Sequence, residues 1–289
     1  MTKNKAIHHF GREAPFTMSR EMSPASDHRL PRHFRREGPT LGALVLLLAI
    51  LATGCDTPPD PAETVIHRGI EAHGANERFD RIRIDFDFRG DAFVLERDRG
   101  RFHYERIRFD EEGRRIVEVM DNEGTRFLVD DRPVTIDEET RASIETAVNS
   151  VIYFGFLPFR LDDPAVRARD MGTAEFEDRT LETVEVTFEP EGGGVDWEDR
   201  FIYWFDAEEG TLEYLAYRFH TGDGGTRFRR AINRRDIDGI LIQDYENFTA
   251  DPEIRDIAEY LDRYRAGELT LVSEVRLENV RISSPDPED

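Results

Sequence analysis

Two groups of residues have the types and spacing to do chemistry. The first is His220, followed by Asp223, Gly224, Gly225, Arg227 and Arg229. A tight turn over Thr221 to Gly225 puts His220 at the end of one strand and both arginines on one face of the next. An imidazole beside two guanidinium groups can hold a carboxylate or phosphate head group. The same charges can equally close an ion network with Glu and Asp on neighbouring strands, and His220 with a carboxylate also permits a hydrolase. The second group is Gly192-Gly193-Gly194 with Asp196, Glu198 and Asp199, oxygen donors of the kind a hard cation takes. It lacks the D-x-[DN]-x-[DN]-G order of a calcium loop, so a solvated hairpin loop is the simpler reading and no metal is expected. No Lys-Ser/Thr follows the glycines, which excludes a phosphate cradle. There is no G-x-S-x-G and no H-E-x-x-H, so no catalytic residue is assigned and no cofactor is expected.

Cys55 is the only cysteine, and what precedes it sets the compartment. Arg35, Arg36 and Glu37 stand before an uncharged run from Gly38 to Gly54 that ends in small residues, the layout of a secretory signal. The run from Leu41 to Gly54 is shorter than the roughly 20 apolar residues a transmembrane helix needs. Leu51-Ala52-Thr53-Gly54-Cys55 resembles the bacterial lipobox, with Ala52 in place of the usual leucine. That resemblance implies cleavage before Cys55 and acylation of it, and two or more acyl chains anchor a protein stably without spanning the membrane. Translation starting at Met1, Met18 or Met22 leaves the signal intact. The expected organisation is a signal peptide over 1–54, a lipidated Cys55 and tether over 55–61, one β-rich domain over 62–283 and an acidic tail over 284–289.

The first 54 residues hold eight of the 39 basic and four of the 61 acidic residues, leaving 31 against 57, a net charge of −26. Such a field disfavours nucleic acid and anionic surfaces. Lys3 and Lys5 are the only lysines, so every cation after them is arginine or histidine. With Cys55 acylated, no thiol is left for a disulfide or a zinc site. Nothing in the sequence sets an oligomeric state.

The elements that position these residues follow from periodicity. Asp60, Pro61 and Glu63 open a helix that Gly74 ends, with Val65, Ile66, Gly69, Ile70 and His73 on one side. From Arg81 the period becomes two, and Ile82, Ile84, Phe86 and Phe88 alternate with charges. Further strands are expected at Ala92 to Glu96, Arg101 to Phe109, Arg115 to Met120, Thr125 to Val129 and Arg132 to Ile136. Short loops between them require an antiparallel meander. A helix spans Asp137 to Ile152. The apolar run Tyr153 to Phe159 cannot stay helical through Pro158, and forms either a buried plug or the lip of a binding cavity, the plug being favoured. Strands resume at Met171 to Phe176, Leu181 to Phe188, Arg200 to Phe205, Leu212 to Phe219, Gly225 to Ala231 and Ile240 to Tyr245. A helix over Pro252 to Tyr264 and a last strand over Leu269 to Ile282 complete the chain.

The phrases YFGFLPFRL (Tyr153 to Leu161), TFEPEGGGVDWED (Thr187 to Asp199), FIYW (Phe201 to Trp204), YLAYRFHTGDGGTRF (Tyr214 to Phe228) and DYEN (Asp244 to Asn247) resemble an uncharacterised family of bacterial lipoproteins. The layout of helix then meander is similar to that of the periplasmic lipoprotein-localisation (LolA/LolB-like) carriers. The implied fold is α+β, mostly β, with a curved antiparallel half-barrel sheet around a few helices. The implied function is a non-enzymatic, lipid-anchored envelope protein that shelters a hydrophobic or lipid ligand. Tyr153, Phe154, Phe156, Phe159, Trp204, Tyr217, His220, Arg227 and Arg229 are the expected ligand-binding residues. A hydrolase and a purely structural or adaptor lipoprotein are the alternatives.

Overall fold

Alternation of Ile82, Ile84 and Phe86 with Arg83, Asp85 and Asp87 builds the first strand, with its apolar side buried. In the computed structural model, which describes residues 60–189, 198–220 and 224–285, this is β1 (Arg81–Phe88). The meander continues as β2 (Asp91–Asp98), β3 (Arg101–Phe109), β4 (Arg115–Asp121), β5 (Gly124–Val129) and β6 (Arg132–Pro133). A distant strand, β14 (Glu278–Ser283), adds to the free edge of β1 to give a seven-stranded antiparallel sheet. Its outer face is an ion lattice. Arg83, Glu96, His103 and Asp121 are cross-strand neighbours in one row, and Arg83 donates to Glu96 at 3.1 Å.

The second sheet runs β7 (Val166–Phe176), β8 (Arg179–Phe188), β9 (Arg200–Asp206), β10 (Leu212–Phe219), β11 (Gly225–Ile237), β12 (Ile240–Thr249) and β13 (Thr270–Val275), again antiparallel and in chain order. Neither sheet closes on itself. The fold is mostly β, with two curved, unclosed antiparallel sheets and few helices.

Three helices share the core with the inner faces of both sheets: α1 (Pro61–His73), α2 (Asn76–Phe79) and α3 (Glu138–Gly155). In α1, Asp60 accepts from the Ala62 N–H at 2.8 Å and Gly74 ends the helix at φ 126°. A side chain at Gly74 is excluded twice, by that φ and by the Gly239 carbonyl 2.4 Å from where its Cβ would lie. Asp137 caps α3, accepting from the Thr140 N–H at 2.9 Å. The helix runs three residues past its expected end, taking in Tyr153 and Phe154.

A second core lies on the other face of the second sheet. Phe176, Leu181, Ile202, Trp204, Tyr214, Ala216 and Phe228 are covered there by Ala250, Ile257, Tyr260 and Leu261. Ile257, Tyr260 and Leu261 belong to a helical cap, a 3₁₀ turn (Ile257–Glu259) leading into α4 (Tyr260–Arg265). The helix expected from Pro252 is therefore confined to its second half. The Asp251 carboxylate accepts from the Glu253 N–H at 3.0 Å, a local turn that competes with the helix. The expected last strand is split as well. It leaves the second sheet at Val275, passes through Arg276 and Leu277 and enters the first as β14. The buried Asp244 holds the crossing by accepting from the Leu277 N–H at 3.1 Å.

No described helix is long and apolar enough to cross a membrane. The signal, the lipobox, Cys55, the triple glycine, Asp196 and Asp223 lie outside the described residues.

Candidate functional site

The interior aromatic run is a plug. Tyr153, Phe154, Phe156 and Phe159 are 2–8% exposed and belong to the core between the sheets. Phe159 stacks on Phe79 with ring centroids 4.3 Å apart, Phe156 meets Phe86 edge-on at 5.3 Å, and Phe154 lies 5.0 Å from Tyr217. The Tyr153 and Tyr203 hydroxyls share a hydrogen bond of 3.1 Å. Burial raises both phenol pKa values, because it penalises the phenolate. Arg229, 2% exposed, lays its guanidinium 4.2 Å from the Phe154 ring centre and donates to the Tyr217 hydroxyl at 2.9 Å. Arg227 lies on the same face, over the Phe219 ring. Six of the nine expected ligand-binding residues are thus buried between the sheets, packed on one another or on Phe79 and Phe86, and Arg227 stands half-buried beside them.

His220 follows the last residue of β10, beside a buried carboxylate. One oxygen of Asp199 accepts from the His220 backbone N–H at 3.1 Å and lies 3.0 Å from its Nδ1. The pair orients the half-exposed imidazole. Glu198 is exposed, and no group of three or more metal-binding side chains occurs among the described residues.

Trp204 stands apart, on the opposite face of the second sheet. There it lines a cleft of about 180 Å³ between the sheet and the helical cap. The walls are Met171, Thr173 and Ala174 of β7, Thr183 of β8, and Ile202 and Trp204 of β9, with Ala258, Leu261 and Asp262 from the cap. The register of β7 slips between Asp170 and Thr173, where Gly172 takes φ 80° and donates to the Asp170 carboxylate at 2.8 Å. Such a bulge bends the strand and re-aims its side chains beside the cleft. On the same face, Tyr214 has its phenol pushed up to about 12 by burial.

Sequence reasoning named Trp204 but missed the cleft around it. A signal for it was present. The stretch Phe201 to Phe205 is apolar at every position, which marks a strand buried on both faces rather than one. A second apolar layer outside the sheet then has to exist.

Residues 42–278 match a family of unknown function, DUF6503. The chain belongs to that family. No curated protein matches the sequence. Among solved structures, this family member is similar to a LolA superfamily protein from Nitrosomonas europaea, at 10% identity and TM-score 0.42, covering 79% of this chain and 94% of that one. It is also similar to a DUF1329 family protein from Desulfovibrio piger, at 12% identity and TM-score 0.36, covering 77% and 93%. A third likeness is to the Mycobacterium tuberculosis lipoprotein LppX, at 7% identity and TM-score 0.26, covering 55% and 87%.

Proposed function

We propose that the chain is a non-enzymatic lipoprotein of the cell envelope, anchored through acylated Cys55, that binds a small hydrophobic ligand on the outer face of its second sheet. The observation that carries this reading is the cleft floored by Ile202 and Trp204. Met171, Ile202, Trp204 and Leu261 supply apolar walls, and the cover over them is a cap of one short helix and a 3₁₀ turn. Concave sites that combine apolar walls with a few convergent polar groups are where small molecules bind, and here Thr173, Thr183 and Asp262 supply the polar groups. The interior run contributes stability instead, since its rings are already packed against partners.

Native mass spectrometry of the protein purified from its own envelope is expected to show a co-purified apolar molecule. Ala258→Phe, which places a ring at the mouth of the cleft, is expected to remove it. A clean apo mass, with no uptake of an apolar dye, overturns the reading. Tagged palmitate is expected to label the wild type and not Cys55→Ser, and equal labelling of the two refutes the anchor. The hydrolase reading has one observation in its favour, the oriented Asp199–His220 pair. Loss of an ester- or glycan-cleaving activity in His220→Ala would establish it, and an unchanged or absent activity removes it.

A further inference from the structure

We infer that the cleft selects a neutral group carrying a hydrogen-bond acceptor, such as an ester or ketone attached to one ring or a short aliphatic arm, over an ionised carboxylate. The inference rests on the binding reading above and names its ligand class.

Thr183 and Trp204 are direct cross-strand partners, so both side chains stand on the same face and line the same cleft. Trp204 is 2% and Thr183 8% exposed. Among the described residues neither side chain makes a hydrogen bond, and neither the Trp204 Nε1 nor the Thr183 Oγ1 is sealed away from solvent, so both donors remain reachable by a ligand. Two neighbouring donors beside the apolar side chains of Met171, Ile202 and Leu261 fit an oxygen acceptor on an apolar body. The size agrees with one ring: an engineered cavity of about 150 Å³ takes up benzene, and this cleft measures about 180 Å³.

Charge decides between a neutral acceptor and an anion. Arginines on the strands and the cap that wall the cleft pair with carboxylates. Arg169 and Arg200 both pair with Glu185, Arg200 also reaches Asp256 at 3.3 Å, and Arg265 pairs with Asp262 at 2.9 Å. Asp262 itself stands at the rim. An anionic head would meet that carboxylate and the field of a strongly acidic chain, with no cation released to receive it.

Three probes of one size separate the possibilities: methyl benzoate, benzoate and ethylbenzene. Each is titrated by ligand-observed NMR at pH 7 against the full lipidated chain in nanodiscs, with empty nanodiscs subtracted. Methyl benzoate is expected to bind about tenfold more tightly than either other probe, the worth of one or two hydrogen bonds. Thr183→Val, which keeps the shape, is expected to erase most of its advantage over ethylbenzene, and Trp204→Phe to erase the rest. Benzoate binding as tightly as its ester, or ethylbenzene matching the ester, overturns the inference while the hydrophobic-binding reading stands. If none of the three binds in the wild type, the binding reading fails and takes the inference with it.

Discussion

The two sheets have the same strand number and the same antiparallel pairing, yet they solve burial differently. The first sheet packs its inner face into the core and gives most of its outer face to charge, where Arg83 pairs with Glu96 and Val94, Val117 and Val119 are covered among the charged side chains. The second buries both faces, and Phe201 to Phe205 is apolar throughout. A sheet with one wet face needs only a partner layer. A sheet with two dry faces needs a cover on each side, and where the cover is short, as at α4, it leaves room.

The largest test of this contrast is Phe228→Ala. Phe228 is fully buried in the outer core and meets Tyr214, Tyr264, Trp204 and Phe248. Its truncation is expected to cost about 3–5 kcal/mol in denaturant unfolding, as much as Phe156→Ala in the inner core. A loss below about 1 kcal/mol breaks the contrast, because the outer layer would then be a loose cover.

The histidines sharpen it next. His73, the last residue of α1, is fully buried, and burial lowers its pKa to about 4 from 6.5. The unfolded chain therefore takes up a proton as pH falls below 6.5 while the fold resists it, and stability declines from 6.5 down to about 4. The full effect is about 3 kcal/mol. His103, on the wet face of the first sheet, has its pKa raised chiefly by its hydrogen bond with Glu105. Its contribution is complete below 6.5 and is lost as pH rises through that raised value. Unfolding free energies between pH 4.5 and 7.5 are expected to lose their rise with pH in His73→Gln and to steepen it in His103→Gln. A flat profile in the wild type contradicts both assignments.

Glu118 marks where the first sheet departs from its own rule. It sits 4% exposed, 3.0 Å from Arg108 and 3.4 Å from Arg106. Glu118→Gln is expected to cost about 2 kcal/mol, since two partly covered guanidinium groups lose their shared counter-charge. The smallest effect belongs to the surface. Arg115→Ala, which breaks a pair with Asp131, is expected to change stability by less than about 1 kcal/mol in the same assay.

Local signals carried much of the fold. The caps at Asp60 and Gly74 bound α1 as expected, and β3 and β10 occupy Arg101–Phe109 and Leu212–Phe219 as the pattern predicts. Bulges hid the rest. β7 and β11 run well beyond their alternating segments because a slipped register at Gly172 or Asn233 breaks the period without ending the strand. Which sheet a strand joins depends on partners far away in sequence, so the split of 269–282 was not legible locally. The same holds for the site. Tyr153 and Phe159 are as aromatic as Trp204, and only the fold tells which of them packs inward and which faces a cleft.

The strand that crosses between sheets also sets a clock. Residue 83 in β1 pairs with residue 283 in β14, two hundred positions later. While the protein is being made, the edge of β1 has no neighbour on that side until β14 exists, after every strand of the second sheet. The loop that pairing closes is about as long as the domain, so its entropic cost falls on the last step of assembly. Whatever matures this chain must therefore shield or outpace an open β1 edge, and a truncation of only the final strand is enough to leave it open for good.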